Sequence, residues 1–313
     1  MSQLASIPFS TEKTFSSYNQ EQGKAYAQIR LDYHPSVYQA IIDHHLSTGG
    51  QLGTLLDVGC GPGTAAYCLA SRFAHTIGID PSEGMIATAR SLGDAESTSE
   101  PVRFEVSTAE ELGEKLSPPI KDHSIDLITA ANAAHWFDMS RFWPSTARVL
   151  RPGGSVALFT SGHICAHPSM PNADAIQAAM ARIEEQYLMP YYERGNLLTR
   201  NRYLDLPLPW NLAQPVPKFD ESNFLRKEWD VAEKFFADQQ EVDLDTFEKM
   251  MSTGSAVTRW REAHPDAVDT EHDVVRMLRR EIERLLHEAG VEKGQEKVKG
   301  TVQGVLLMVK KKA

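Results

Sequence analysis

Residues 54–70 read TLLDVGCGPGTAAYCLA. An apolar run that contains one acid, Asp57, breaks into three glycines at alternate positions, Gly59, Gly61 and Gly63. A strand that turns sharply into a helix through glycines lets a ligand approach the backbone closely. The stretch therefore predicts a ligand-binding loop between a first strand and the helix that follows it.

The same kind of apolar run recurs along the next hundred residues, where it alternates with helical segments. Short runs rich in Val, Ile and Leu, separated by helices, indicate a doubly wound α/β fold with a parallel sheet covered on both faces. Strands are predicted at 54–58, 75–79, 102–106, 125–130 and 155–160, and helices at 64–73, 83–92 and 141–150.

The flanking segments suggest a lid and a cap around this Rossmann-like sheet. Helices are predicted over 21–47, with a break at Pro35, and the proline-rich segment that follows the fifth strand has poor periodicity. Further strands are predicted at 223–229 and 305–309, and helices at 243–251 and 272–289. The predicted divisions are 1–47 (helical lid), 48–162 (binding core), 163–222 (cap) and 223–313 (C-terminal helices and last strands).

Composition narrows the classes of protein and partner. A net charge of −10 argues against general binding to nucleic acid. Three cysteines without a framework spacing suggest a reducing compartment. The N-terminus lacks the features of a signal peptide, and no apolar run approaches the length of a membrane span. We expect a cytoplasmic monomer or homodimer that acts on a small molecule.

The glycine pattern separates three classes of ligand. A nucleoside triphosphate site needs a lysine after the last glycine, and Thr64 stands there. A dinucleotide site needs its third glycine at that same position, and the Asp57 carboxylate would repel a pyrophosphate. S-adenosylmethionine carries an ammonium and a sulfonium, so a carboxylate beside the loop favours it. The alternative for each residue is a tight turn or a helix cap without a ligand.

The segment LDVGCGPG, residues 56–63, resembles the first motif of class I S-adenosylmethionine-dependent methyltransferases. The resemblance implies that Asp57 lies near the methionyl ammonium and that the glycine backbone passes under the methionine and ribose. It places Asp80, in IGIDPSEGM, at the ribose hydroxyls. The remaining cofactor positions implied are Pro81, Ser82, Met85, Thr108, Ala109, Glu110 and Ala131; Ser107 replaces the acid that relatives often carry beside the adenine.

A second resemblance concerns the substrate. AHWFD, residues 134–138, is similar to a segment of the fungal trans-aconitate methyltransferases, as are 26–38, 190–206 and 251–260. This likeness implies O-methylation of a small carboxylic acid, with trans-aconitate or a related polycarboxylate favoured. Two alternatives stay open: a secondary-metabolite O- or N-methyltransferase, and a regulator that binds S-adenosylmethionine without catalysis.

His135 and Trp136 are the candidate catalytic residues, because they follow the strand at whose end the methyl group should lie. A carboxylate nucleophile is already ionised, whereas a hydroxyl or amine usually needs a base, for which His135 is the candidate. Otherwise His135 donates a hydrogen bond or packs beside Trp136 and shapes the pocket.

A polycarboxylate substrate needs cations, and the cap contains a cluster of arginines. Arginine binds a carboxylate through two parallel hydrogen bonds. The alternative is a solvated charged surface. The candidate substrate residues are Arg200 and Arg202 beside Tyr191 and Tyr192, then Arg30 in the lid, and finally Trp260.

HICAH, residues 163–167, places three possible metal ligands at alternate positions. No fourth ligand lies at a suitable spacing, and structural zinc usually needs four. We therefore expect no metal.

Overall fold

The structure is a computed structural model that describes residues 12–93, 100–230, 232–237 and 241–313. The first eleven residues of the predicted lid segment lie outside the described residues. Within the described ranges, none of the helices combines the length and the apolar composition needed to cross a membrane.

All five predicted strands of the core are present. The fifth strand is longer than predicted at both ends, because its start pairs with Ile125 and its end pairs with Gly300. Residues 151–154, Arg-Pro-Gly-Gly, therefore lie inside the strand as an irregularity in the pairing rather than before it. The strands are β1 Thr54–Val58, β2 His75–Asp80, β3 Arg103–Val106, β4 Ile125–Ala131 and β5 Leu150–Ala166.

The predicted helices of the lid and core are also confirmed. Pro35 occupies the first turn of the second helix, where a missing backbone N–H is tolerated. Ser82 caps the fourth helix, and its Oγ accepts a hydrogen bond of 3.2 Å from the Met85 N–H. The helices are α1 Gln20–Ile29, α2 Pro35–Ser47, α3 Thr64–Ala70, α4 Glu83–Leu92 and α5 Met139–Val149.

The remainder of the chain adds helices α6 Ala173–Ile183, α7 Arg194–Arg200, α8 Leu244–Ser252, α9 Ser255–Ala263 and α10 Val274–Glu288. It also adds strands β6 Phe219–Trp229, β7 Val242–Asp243, β8 Lys297–Val298 and β9 Gly300–Lys311. The segment with poor periodicity thus contains two α-helices, α6 and α7, that the sequence did not predict.

The central sheet has seven strands in the order β3-β2-β1-β4-β5-β9-β6. The first five strands are parallel, and β9 is antiparallel to both β5 and β6. The strand order reverses between β1 and β4, and in open α/β sheets ligands bind at that switch point, beside the carboxyl ends of the strands. This architecture confirms the predicted doubly wound, Rossmann-like methyltransferase sheet.

Consecutive side chains of the central strands enter two different apolar clusters. Leu56 and Ile128 belong to the cluster on the α5 side, whereas Leu55 and Leu127 belong to the cluster on the α2 side. Both faces are covered, which explains why these strands read as continuous apolar runs rather than alternating ones.

The lid helix α1 packs closely on α4. A Cβ added at Gly23 would lie 2.6 Å from the Thr88 Oγ1, and one at Gly84 would lie 2.2 Å from the Tyr18 carbonyl oxygen. The Ser82 hydroxyl also donates to the Tyr18 carbonyl, at 3.2 Å. Two glycines therefore bring the lid against the helix that follows β2, the strand that ends in Asp80.

The cap is built from two separate parts of the sequence. Ile176 in α6 shares one apolar cluster with Phe247 in α8 and with the α10 stripe. The predicted stripe is buried as expected; its members are Val274, Leu278, Ile282, Leu285 and Leu286. The packing thus joins helices from the predicted 163–222 and 223–313 segments.

Candidate active site

The glycine loop has the backbone conformation that its sequence suggests. Gly59, Gly61 and Gly63 have φ values of 65°, 53° and 90°, in the left-handed region that favours glycine. A Cβ at Gly59 would lie 2.6 Å from that of Ala133, whereas one at Gly61 would meet nothing within 4 Å. The loop is packed tightly from below at Gly59 and is open at Gly61, where a ligand has room to approach the backbone.

Asp57 is buried below this loop, with an exposed fraction of 0%. Its Oδ1 accepts a hydrogen bond of 2.7 Å from the Thr129 hydroxyl, and its Oδ2 has no hydrogen-bond partner among the described residues. Burial raises the pKa of this carboxyl to about 7, although the Thr129 hydrogen bond opposes the shift. An unpartnered carboxylate oxygen beside a glycine loop fits the ammonium group of S-adenosylmethionine.

Asp80, at the end of β2, supports the loop from its other side. Its Oδ2 accepts the Gly61 N–H at 2.9 Å, and its Oδ1 accepts the Ser82 N–H at 2.9 Å. Burial raises its pKa to about 6, and these two hydrogen bonds oppose the shift. Carboxylate oxygens accept more than one hydrogen bond each, so both oxygens retain the capacity to bind ribose hydroxyls.

A cavity of about 600 Å³ lies over the loop and extends beneath the lid into the cap. This volume is in the range of small-molecule and cofactor sites. The predicted cofactor residues that line the cavity are Gly59, Gly61, Asp80, Pro81, Met85, Thr108, Ala109, Glu110 and Ala131. The other three predicted cofactor residues lie behind this lining. Asp57 lies under the loop, Gly63 at the start of α3, and Ser82 caps α4.

The loop after β3 is tied to the loop after β4. The Glu110 carboxylate accepts the Asp138 N–H at 2.9 Å, and the Ser107 hydroxyl accepts the Gly113 N–H at 3.0 Å. The Glu110 and Ser107 side chains thus form hydrogen bonds within the protein, and Thr108 and Ala109 line the cavity beside them. Their predicted contact with the adenine stays a prediction.

The structure places His135 differently from Trp136. His135 has an exposed fraction of 9%, does not line the cavity, and forms a hydrogen bond of 2.9 Å with the Tyr203 hydroxyl. Burial lowers the pKa of His135 to about 3, with a further contribution from the charge of Arg30. Trp136 does line the cavity. The imidazole is therefore neutral near pH 7 and points into the protein, where it supports the wall that Trp136 forms.

The structure does not bring the predicted cap arginines to the cavity. Arg200 pairs with the buried Glu184 at 2.7 Å, and Arg202 pairs with Glu228 at 3.3 Å. Acidic side chains of the cap and of β6 thus neutralise the cations that were expected to bind substrate. The density of arginines in this segment does not indicate that acids from other parts of the fold face them.

The aromatic side chains predicted to bind substrate also contact other side chains of the cap. The Tyr192 hydroxyl donates to Glu184, and Tyr191 packs on the cap's apolar cluster. Trp260 is buried and stacks on His264 with ring centroids 4.4 Å apart. None of these three lines the cavity over the glycine loop.

Arg30 is the predicted substrate residue that does line the cavity. Its guanidinium lies 4.7 Å from the centre of the Tyr26 ring and makes no ion pair with the described residues. Asn132, which was not among the predicted residues, also lines the cavity directly after β4, with a φ of 54°. Its position at a strand end was the available signal, since asparagine tolerates this conformation better than most residues.

The three possible metal ligands of HICAH have different surroundings. His163 faces Glu184 at 3.5 Å, His167 bonds to the Ser169 hydroxyl at 2.7 Å, and Cys165 lines the cavity. The three side chains do not converge on one point.

Comparison with known proteins agrees with the fold and the glycine loop. Residues 56–158 match the protein family described as a methyltransferase domain. A methyltransferase of Dictyostelium discoideum is 32% identical over 155 residues, which is 50% of this chain and 53% of that protein. The chain thus aligns with about half the length of that relative.

Two further similarities extend over more of the chain. Methyltransferase cfoB of Aspergillus candidus is 29% identical over 277 residues, which is 81% of this chain and 84% of that protein. A solved structure of a type II methyltransferase from Anaeromyxobacter dehalogenans covers 89% of this chain and 97% of its own, with a TM-score of 0.59 and 24% identity. The latter likeness concerns the fold alone.

The raised pKa of Asp57 predicts a pH-dependent affinity for S-adenosylhomocysteine. The ionised carboxylate binds an ammonium and the protonated form does not, so affinity should fall as pH decreases from about 7 to about 5, by up to about tenfold per unit. Below neutral pH the ligand's α-amino group stays protonated. Calorimetric titration across this range, with Asp57→Asn as the comparison, measures the effect.

The same shift has the opposite effect on the protein without ligand. Because the folded-state pKa lies above the unfolded value of about 3.9, the contribution of Asp57 to stability is greatest below that value and is lost as pH rises towards 7.

In the affinity titration, a wild-type affinity that stays constant with pH, or an Asp57→Asn variant with an unchanged pH dependence, would contradict the assignment of Asp57 to the ammonium.

Proposed function

We propose that the chain, a class I S-adenosylmethionine-dependent methyltransferase by its domain family and its fold, methylates a carboxylate oxygen of a small organic acid. The observation that carries this proposal is the combination of an Arg30 guanidinium without an ion pair and the absence of histidine in the described lining of one cavity. The substrate would lie between the glycine loop, the lid and the cap.

The cofactor would be held by this chain's loop and strand ends. Asp57 would neutralise its ammonium, Asp80 would accept its ribose hydroxyls, and the Gly61 backbone would lie against it. When bound, S-adenosylmethionine supplies a methyl carbon attached to a sulfonium, which is already a good leaving group.

The described lining of the cavity contains no histidine, the side chain that most often acts as a general base. Its acids form hydrogen bonds or ion pairs within the protein. The Glu12 carboxylate accepts the Phe15 N–H at 2.8 Å. The Glu110 carboxylate accepts the Asp138 N–H, and the Asp138 carboxylate accepts the Ser140 N–H at 3.0 Å. The Lys115 ammonium pairs with Glu111. A nucleophile that is ionised before it binds fits this environment, because it needs no proton acceptor.

Methyl transfer to a carboxylate balances without a base. One oxygen of the substrate forms the bond to the methyl carbon, the carbon–sulfur bond breaks, and its electron pair remains on sulfur. The products are a neutral methyl ester and S-adenosylhomocysteine, and no proton is released. The protein's part is to hold the oxygen in line with the methyl group, an alignment that contributes roughly 7–11 kcal/mol.

Arg30 is the side chain that would hold the acid. It lies at the end of α1, among the aromatic side chains of the lid, and its charge acts on His135 at the end of β4. That strand end faces the switch point of the sheet, where the reaction is expected. Arg200 and Arg202, which would have bound the further carboxylates of trans-aconitate, are paired with acids of the protein.

Replacing Arg30 by alanine should raise the KM for the acid and leave the affinity for S-adenosylhomocysteine nearly unchanged. A hydrogen bond to a charged group contributes roughly 1.5–3 kcal/mol, so kcat/KM should fall by about tenfold or more. Lysine should restore activity only in part, since it cannot form the paired contact. The matched control is Arg202→Ala, which should spare the KM because Arg202 is paired with Glu228.

The assay should use S-adenosylmethionine labelled in its methyl group with a panel of monocarboxylic acids, trans-aconitate, phenols and amines. A carboxyl methyl ester releases labelled methanol in mild alkali, whereas methyl ethers and methylamines keep the label. Alkali-stable label would favour a secondary-metabolite O- or N-methyltransferase. Binding of cofactor without any transfer would favour the non-catalytic regulator.

The proposal also predicts that His135 positions Trp136 rather than moving a proton. His135→Asn and Tyr203→Phe should each lower the thermal midpoint by a few degrees, because each breaks a buried hydrogen bond of about 1 kcal/mol. The double variant should lose less than the sum of the two. Neither should add or remove a limb near pH 6.5 in the kcat/KM profile.

A general base would give a different result. In that case His135→Asn would be inactive at all pH values while Tyr203→Phe kept most of its activity, and the carboxylate proposal would be wrong.

A further inference from the structure

The cavity does not end at the strand ends where the cofactor is expected. It continues between the C-terminal end of β5, the start of β9 and the cap helices α6, α8 and α10. We call this part the cap chamber and define it by six of its lining side chains: Met170, Ile176, Met180, Phe247, Ile282 and Val302.

The cap chamber is lined by apolar side chains that belong to the folded core of the cap. Ile176 and Ile282 are almost completely buried, and Phe247 and Met170 each have an exposed fraction of 9%. Lys299 is the one charged side chain among the described residues of this part of the lining. An interior space of this composition favours a hydrocarbon ligand, because water gains few hydrogen bonds there.

We propose that the cap chamber binds the hydrocarbon part of the acid substrate, an inference that rests on the proposed function. The carboxylate would lie at Arg30, beside the cofactor, and the hydrocarbon arm would extend into the cap. Lys299 is the one cation that this part of the described lining offers, so a tricarboxylate would place at least one further charge against apolar side chains such as Phe247 and Ile282, which costs free energy. The substrate class is thus an acid with one carboxylate and an apolar body.

The methionines of the lining suggest how selective the chamber is. Met170 and Met180 have unbranched, polarisable side chains that fill irregular spaces, and such side chains let one surface accommodate several shapes. We therefore expect acids of different branching to bind, with affinity set mainly by the apolar surface that they bury.

The test measures binding without turnover. Protein saturated with S-adenosylhomocysteine is titrated with butanoate, hexanoate and octanoate in a calorimeter, with phenylacetate as an aromatic acid and trans-aconitate as a polycarboxylate. Each added methylene should tighten binding by about fourfold, or about fifteenfold between successive members of the series, until the chamber is full. Trans-aconitate should bind more weakly than hexanoate.

One substitution blocks the chamber and a second controls for it. Met180→Trp should remove the dependence on chain length and leave the affinities for butanoate and S-adenosylhomocysteine close to the wild-type values. Met180→Leu keeps the volume similar and should behave like the wild type. The unchanged affinity for S-adenosylhomocysteine shows that the variant is folded.

The outcomes separate this inference from the proposed function. Affinity that rises with chain length supports the chamber even if no methyl group is transferred, in which case the proposed function alone fails. Affinity that is independent of chain length, or tighter binding of trans-aconitate than of hexanoate, overturns the chamber. The wild-type series decides this even if Met180→Trp does not fold.

Discussion

Two carboxylates buried at the ends of adjacent parallel strands are the constraint on which the binding site depends. Asp57 is the last residue but one of β1 and Asp80 is the last of β2, and both are held in an environment that disfavours their charge. Burying a charge is costly unless it is paired or hydrogen-bonded. Asp80 is stabilised by the N–H groups of Gly61 and Ser82, whereas one oxygen of Asp57 has no hydrogen-bond partner in the described part of the chain.

The loop and the helices around these acids hold them in position and cover the site. The Gly61 N–H reaches Asp80 only because the loop adopts left-handed φ values, and the loop fits there because Gly59 allows Ala133 to approach. The lid then covers the edge of the site through close contact between α1 and α4. Lid, sheet and cap together enclose one cavity, so the reacting groups would meet in a space partly shielded from water.

Local patterns explain what the sequence could predict. The positions of the five core strands, the backbone turn at the glycines and the Ser82 cap depend on neighbouring residues and on the order of elements, and these were predicted correctly. The surroundings of Arg200 and His135 depend on contacts with Glu184 and Tyr203, and no local pattern indicates that such side chains will meet. The cap chamber was not predicted for the same reason, since its walls come from α6, α8, α10 and the sheet.

The most direct test of the account is calorimetric titration of S-adenosylhomocysteine into the wild type and Asp80→Ala. The loss of an acceptor for two ribose hydroxyls should weaken binding by at least about tenfold, since hydrogen bonds to charged groups contribute roughly 1.5–3 kcal/mol each. Asp220→Ala, in β6 and outside the cavity lining, serves as the control, and thermal midpoints without ligand show whether each variant is folded. Tight binding to the wild type with this loss in Asp80→Ala is the predicted result; equal affinity in a folded Asp80→Ala variant would contradict the account.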